Sequence, residues 1–134
     1  PNADFEKVVA AQRAIEAERI KAAGTVDDDS LTLLSKDAAT VSKGAEVFKA
    51  NCATCHRADA GGNIGPNLTD NAWLHGGKPK QIYTTVNGGV EKTAMIPWGA
   101  QLGPEKVQSV TAYVMSLRNT NVAGGKAPQG NVEE

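Results

Sequence analysis

At 134 residues, with a formal net charge of −1 and only 4% aromatic residues, the chain has room for one domain and little more. The near-neutral balance argues against nucleic acid as a partner, and no apolar run reaches the ~18 residues that a membrane-spanning helix needs. The sequence begins on Pro1 rather than Met, as expected of a processed or truncated product whose membrane anchor, if it had one, is lost.

Residues 3–23 read as one amphipathic helix, with Phe5, Val8, Val9, Ile15 and Ile20 on one arc and Ala11 and Ala22 at its edge. Gly24 is placed to stop it. The stripe is too weak for a free-standing helix, so the helix is expected to pack on the domain; the alternative is a tether left from an anchor or fused partner. Residues 25–30, with Asp27, Asp28 and Asp29, read as a solvated acidic linker, after which Leu31, Leu33 and Leu34 meet something apolar. A second helix is expected over residues 40–51, with Gly44, Val47 and Phe48 on one face. Cys52-Ala53-Thr54-Cys55-His56 follows directly at its end. Residues 57–68 are loop, because Gly61, Gly62, Gly65 and Pro66 forbid a regular element.

Thr69 is placed to cap a short helical turn through Trp73 and Leu74, ended by Gly76 and Gly77. Pro79 suits the first position of a short helix carrying Ile82, Tyr83 and Val86, stopped by Gly88 and Gly89. Residues 90–102 form a second loop holding Met95-Ile96-Pro97-Trp98-Gly99. Gly103-Pro104-Glu105 opens a last helix with Val107, Val110, Tyr113, Val114 and Leu117 as its apolar series. From Thr120 onward the Gly-, Pro-, Asn- and Gln-rich composition predicts a loose tail. No segment alternates well enough to be a strand. The expected organisation is an N-terminal helical extension and acidic linker (1–37), an all-α domain (38–119) and a flexible C-terminal tail (120–134).

The Cys-x-x-Cys-His run reads as the attachment site of a c-type haem. Two thiols three positions apart can add to the two vinyl groups of one porphyrin, and the adjacent imidazole can reach the iron. A Cys-x-x-Cys pair alone would also suit a redox dithiol or half of a zinc site. No βαβ pattern frames it here, and two Cys with two His give a zinc site few ligands. A disulfide across two intervening residues would be strained. The expected cofactor is therefore one haem c with its iron. It would complete a core short of aromatic residues, contributing on the order of 10 kcal/mol, as an upper bound, through several hundred Å² of buried macrocycle.

His56 takes one axial position. The other could fall to Met95, Met115, His75, a lysine or nothing. Met115 lies off the apolar face of the last helix, and His75 precedes the Gly76-Gly77 turn. Met95 sits in a loop stiffened by Pro97 and Trp98 and is the expected ligand. A thioether there raises the reduction potential.

Gly44-x-x-x-Phe48, the haem run, Gly65-Pro66-Asn67-Leu68, Met95 and a final helix with Tyr113-Val114 together resemble class I cytochrome c, over about residues 38–118. Thr69-Asp70-Asn71-Ala72-Trp73-Leu74-His75-Gly76-Gly77 is similar to the haem domains of bacterial haem-copper oxidases, especially the dihaem subunit of cbb-type enzymes. Those domains usually set Met directly before Pro; here Ile96 intervenes. The resemblance implies a class I cytochrome c fold, three to five helices around one covalent haem, with residues 1–37 as an added N-terminal helix. It implies that Pro66 offers its carbonyl to His56 Nδ1–H, and that Gly44 and Phe48 meet Tyr113 at a helix crossing. Trp73 would donate to a haem propionate or simply pack. The haem-binding set is then Cys52, Cys55, His56, Pro66, Trp73 and Met95, with His56 and Met95 on the iron.

Two protein ligands on the iron leave no substrate position, so the expected chemistry is outer-sphere. The expected role is a monomeric single-electron carrier of a respiratory chain, in the periplasm or on the outer face of the cytoplasmic membrane. Its partners would be a quinol-oxidising complex and a haem-copper terminal oxidase. The competing class is a haem peroxidase or gas-sensing domain with an open sixth site, for which only His75 could supply distal acid/base chemistry. Docking is expected through a small uncharged rim of Ala53, Ala58, Ala60, Gly61, Gly62, Thr93, Ala94, Ile96 and Pro97.

Overall fold

The computed structural model describes residues 2–24 and 26–133. Helix α1 (Asn2–Ala23) ends where Gly24, at φ +70°, turns its N–H onto the Ile20 carbonyl at 3.1 Å. Among the described residues of α1 only Ala17 and Ile20 reach the core, while Phe5 and Ile15 are each 69% exposed. The buried face is thus offset from the apolar arc seen in the sequence, and only the C-terminal half of the helix docks.

The acidic run proves to be a helix start rather than a linker. Asp27 Oδ1 accepts from Ser30 N at 2.7 Å, and Ser30 Oγ accepts from Asp27 N at 3.0 Å, a reciprocal cap that opens α2 (Asp28–Leu34). Asp28 and Asp29 then fall in its first turn, where the helix dipole favours carboxylates. Leu31 and Leu34 are fully buried, in one cluster with Ala112.

Asp37 caps α3 (Ala38–Asn51), its carboxylate accepting from Thr40 N at 3.1 Å and Thr40 Oγ1 at 2.6 Å. α3 crosses the last long helix, α7 (Pro104–Ser116), in the largest interface of the molecule. A Cβ at Gly44 would lie 2.0 Å from the Ser109 carbonyl oxygen, so only hydrogen fits at the crossing. One turn on, the Phe48 and Tyr113 rings meet at 5.4 Å. Between α3 and α7 in the chain lie α4 (Ala53–His56), α5 (Pro79–Gly88) and the single turn α6 (Gly99–Leu102), which closes the loop after Met95. Val47, Phe48, Ile82, Val86, Val107, Val110 and Val114 form the main core.

The helical turn expected at residues 69–74 does not form. Asn67 Oδ1 accepts from both Thr69 N and Thr69 Oγ1, and Asp70 Oδ1 accepts from Ala72 N at 3.0 Å. These side-chain turns consume the donors and the hydroxyl that a helix start would have used. The chain extends instead into β1 (Ala72–Trp73), which pairs antiparallel with β2 (Asn131–Val132) in the register Ala72↔Val132 and Trp73↔Asn131.

The segment after α7, expected to be a loose tail, is fastened to the domain. Asn121 N donates to Thr69 O at 2.9 Å, Lys126 N to Gly61 O at 2.7 Å and Glu133 N to Asn71 O at 2.8 Å. Its small polar residues leave the backbone free to make these bonds, which composition alone does not reveal.

Candidate cofactor site

A cavity of about 250 Å³ opens beside the α3–α7 crossing. Its wall is mainly apolar, with Phe48, Leu68, Ile82, Val86, Val110 and Val114 contributing. The end of α3 and the turn of α4 bring Cys52, Cys55 and His56 to it, and the loop before α6 brings Met95 and Trp98.

His56 is buried, and the Pro66 carbonyl lies 2.9 Å from its Nδ1. A carbonyl only accepts, so Nδ1 carries the proton and Nε2 is left with its lone pair. Gly65 lies against the ring so closely that a Cβ there would come within 2.5 Å of Cε1. The loop is closed behind the ring, Gly65 N donating to Cys55 O at 2.8 Å and Gly62 N to His56 O at 2.9 Å. Burial pushes the imidazole below its ordinary pKa; the Pro66 bond opposes that shift, and the Lys126 cation adds to it. The ring is therefore neutral at neutral pH, as a metal ligand must be.

The two thiols are not bonded to each other. Burial, with a smaller contribution from neighbouring Cys55, pushes the Cys52 thiol up to about 11. A redox dithiol needs the opposite shift, toward a nucleophilic thiolate. Among the described residues no three His, Cys, Asp or Glu side chains gather as metal ligands.

Met95 is half-buried, and its loop is fixed by Met95 N donating to Thr93 Oγ1 at 3.1 Å and Val90 N donating to Met95 O at 2.9 Å. Met115 does not line the cavity and packs between the two core clusters. His75 stands in the cavity lining as well, although exposed. Trp73 is 7% exposed, and its Nε1 is buried with no partner. Its ring is held between the Arg118 guanidinium, 5.2 Å away, and Gly77.

All six residues expected to bind the cofactor, Cys52, Cys55, His56, Pro66, Trp73 and Met95, line this one cavity. They fit a porphyrin. Two uncommitted thiols, an imidazole with a free Nε2, an apolar wall and an orphaned indole donor match its vinyl groups, iron, macrocycle and carboxylates. The expected rim is only partly exposed. Ala58, Thr93, Ala94, Ile96 and Pro97 face solvent, but Ala60, Gly61 and Gly62 are buried. Ile64 and Leu74, neither of them in the expected rim, lie at the cavity and are 65% and 48% exposed. Arg118 was also missed, and Asn67, quoted in the Gly65-Pro66-Asn67-Leu68 run, was given no role, since their partners lie far along the chain.

Residues 39–114 match the family described as cytochrome c oxidase, cbb3-type, subunit III. The chain is 50% identical over 86 residues to the cbb3-type cytochrome c oxidase subunit FixP of Sinorhizobium medicae, covering 58% of this chain and 30% of that protein. It is 49% identical over 86 residues to subunit CcoP of Rubrivivax gelatinosus, covering 63% of this chain and 28% of that protein. Among solved structures, cytochrome cL of the marine methylotroph Methylophaga aminisulfidivorans superposes with a TM-score of 0.56 at 26% identity, covering 63% of this chain and 57% of that one. The chain thus spans about 30% of the length of the two oxidase subunits.

Proposed function

The chain belongs to the cbb3-type cytochrome c oxidase subunit III family, and on that premise we propose that it is a one-electron carrier holding a single His/Met-ligated haem c. The fold is the all-α class I cytochrome c fold. The observation that carries the reading is the convergence of Cys52, Cys55, His56 and Met95 on one apolar cavity.

A bound haem c supplies an Fe(III)/Fe(II) couple that gains or loses one electron. Cys52 and Cys55 would hold it through two thioethers. His56 would offer Nε2 to the iron, while Pro66 fixes its tautomer and makes it more basic. Met95 would offer its thioether to the iron, Trp73 would give its indole N–H to a propionate, and the apolar wall would exclude water. A metal held by both side chains would leave no place for a small molecule, and electrons would pass through the rim where Ile64, Leu74 and Ile96 are exposed. The natural partners are a quinol-oxidising complex as donor and a haem-copper oxidase as acceptor, on the periplasmic side. Residues 38–119 form the haem domain in this reading, and the protein works as a monomer.

The test is the full chain produced in a host competent in cytochrome maturation. The intact mass is expected to include one haem, and the spectrum of the reduced protein is expected not to change under carbon monoxide. Carbon monoxide binding would point to an open-site enzyme or sensor. A colourless protein with two reactive thiols would remove the cofactor altogether.

A further inference from the structure

The segment after α7 lies beyond the residues 39–114 that the family matches, yet its bonds converge on the two flanks of the His56–Pro66 loop. On the His56 flank, Arg57 Nη1 donates to Gly124 O at 2.6 Å and Lys126 N to Gly61 O at 2.7 Å. On the Pro66 flank, Asn67 Nδ2 donates to Lys126 O at 3.1 Å, and Asn121 N and Val122 N donate to Thr69 O and Thr69 Oγ1 at 2.9 and 3.2 Å. The backbone of Lys126 alone therefore bridges both sides. Asn67, next to Pro66, is committed at both ends, since its Oδ1 accepts from Thr69. The far end is anchored by the β1–β2 pair and by Gly77 N donating to Glu133 Oε2 at 2.8 Å. The approach is close enough that a Cβ at Gly125 would meet Asn67 Nδ2 at 2.4 Å.

We propose that residues 119–133 are a strap that belongs to the iron site: acting through Asn67 and the Lys126 backbone, they hold the Pro66 carbonyl on His56 Nδ1–H. Asn67 is a positioning residue in this account. The loop's own backbone bonds across its base are Leu68 N to Ala60 O at 2.8 Å, Gly62 N to His56 O at 2.9 Å and Gly65 N to Cys55 O at 2.8 Å, and they involve neither Pro66 nor Asn67. Its Gly residues give it little stiffness of its own. An external clamp is what keeps the imidazole in one orientation. The inference rests on His56 being a haem ligand.

Two variants of the full-length haem protein test it: a chain ending at Asn119, and Gly125→Val, whose side chain would collide with Asn67 Nδ2 and part the strap from the loop. The readouts are the NMR exchange rate of the His56 Nδ1 proton in the ferrous form and the pattern of shifted haem methyl signals in the ferric form, which follows the ring orientation. Exchange at Nδ1 is expected to accelerate ~tenfold or more while the Val110 and Thr111 amides stay within ~twofold, and the methyl pattern is expected to change. If the truncated chain does not fold, Gly125→Val decides. Unchanged Nδ1 exchange in Gly125→Val, or equal acceleration at Val110 and Thr111, overturns the clamp. A full-length chain that takes up no haem overturns the underlying reading with it, whereas a red protein with indifferent Nδ1 exchange overturns the clamp alone.

Discussion

The absence of a side chain at Gly44 is what lets α3 and α7 touch, because the nearest obstacle is the Ser109 backbone rather than a movable side chain. Gly44→Ala should therefore destabilise the holoprotein by about 1–3 kcal/mol in urea titration, and an unchanged midpoint would mean that the crossing can relax. Trp73→Phe keeps the ring and deletes only the orphaned donor. It should lower the reduction potential, since a propionate without its hydrogen bond favours ferric iron; a potential unmoved by the change would return Trp73 to a packing role. That Cys52, Cys55 and His56 would share one cavity was legible because two thiols and an imidazole within five consecutive positions are the pattern that covalent haem attachment would demand. Asn67 was not legible as a positioning group. Its partner Lys126 is 59 residues away, and nothing local in either segment records the bond.

Helices α1 and α2 show what an isolated element can and cannot declare. That α1 is a helix was readable, but the face it buries depends on a partner surface outside the helix, and that surface takes Ala17 and Ile20 rather than Phe5 or Ile15. Three consecutive Asp residues read equally well as solvated linker or as cap and first turn, and the reciprocal Asp27–Ser30 bonds decide for the helix. The two helices should contribute unequally. Leu31→Ala and Leu34→Ala should each cost about 3 kcal/mol, because both side chains are fully enclosed. Deleting residues 1–16 should leave the melting temperature nearly unchanged. A melting temperature that falls as far for the deletion as for either leucine variant would show that the exposed half of α1 is stabilised by something else.

On the scale of the molecule, a net charge of −1, a cavity edged by exposed Ile64 and Leu74, and an exposed Ile96 next to Met95 in the chain favour docking through desolvated apolar contact rather than electrostatic steering. Electron transfer to the acceptor should fall less than ~threefold between low and physiological salt, and Ile96→Asp should slow it more than that change of salt does. A many-fold salt effect would place the contact on a charged face instead. The central claim is that one iron is held between His56 and Met95. It is met most directly by the weak far-red sulfur-to-iron absorption of the ferric protein. The band should be present in the parent chain, persist in Met115→Ala and vanish in Met95→His with a fall in reduction potential. A band that survives Met95→His, or disappears in Met115→Ala, would contradict the account.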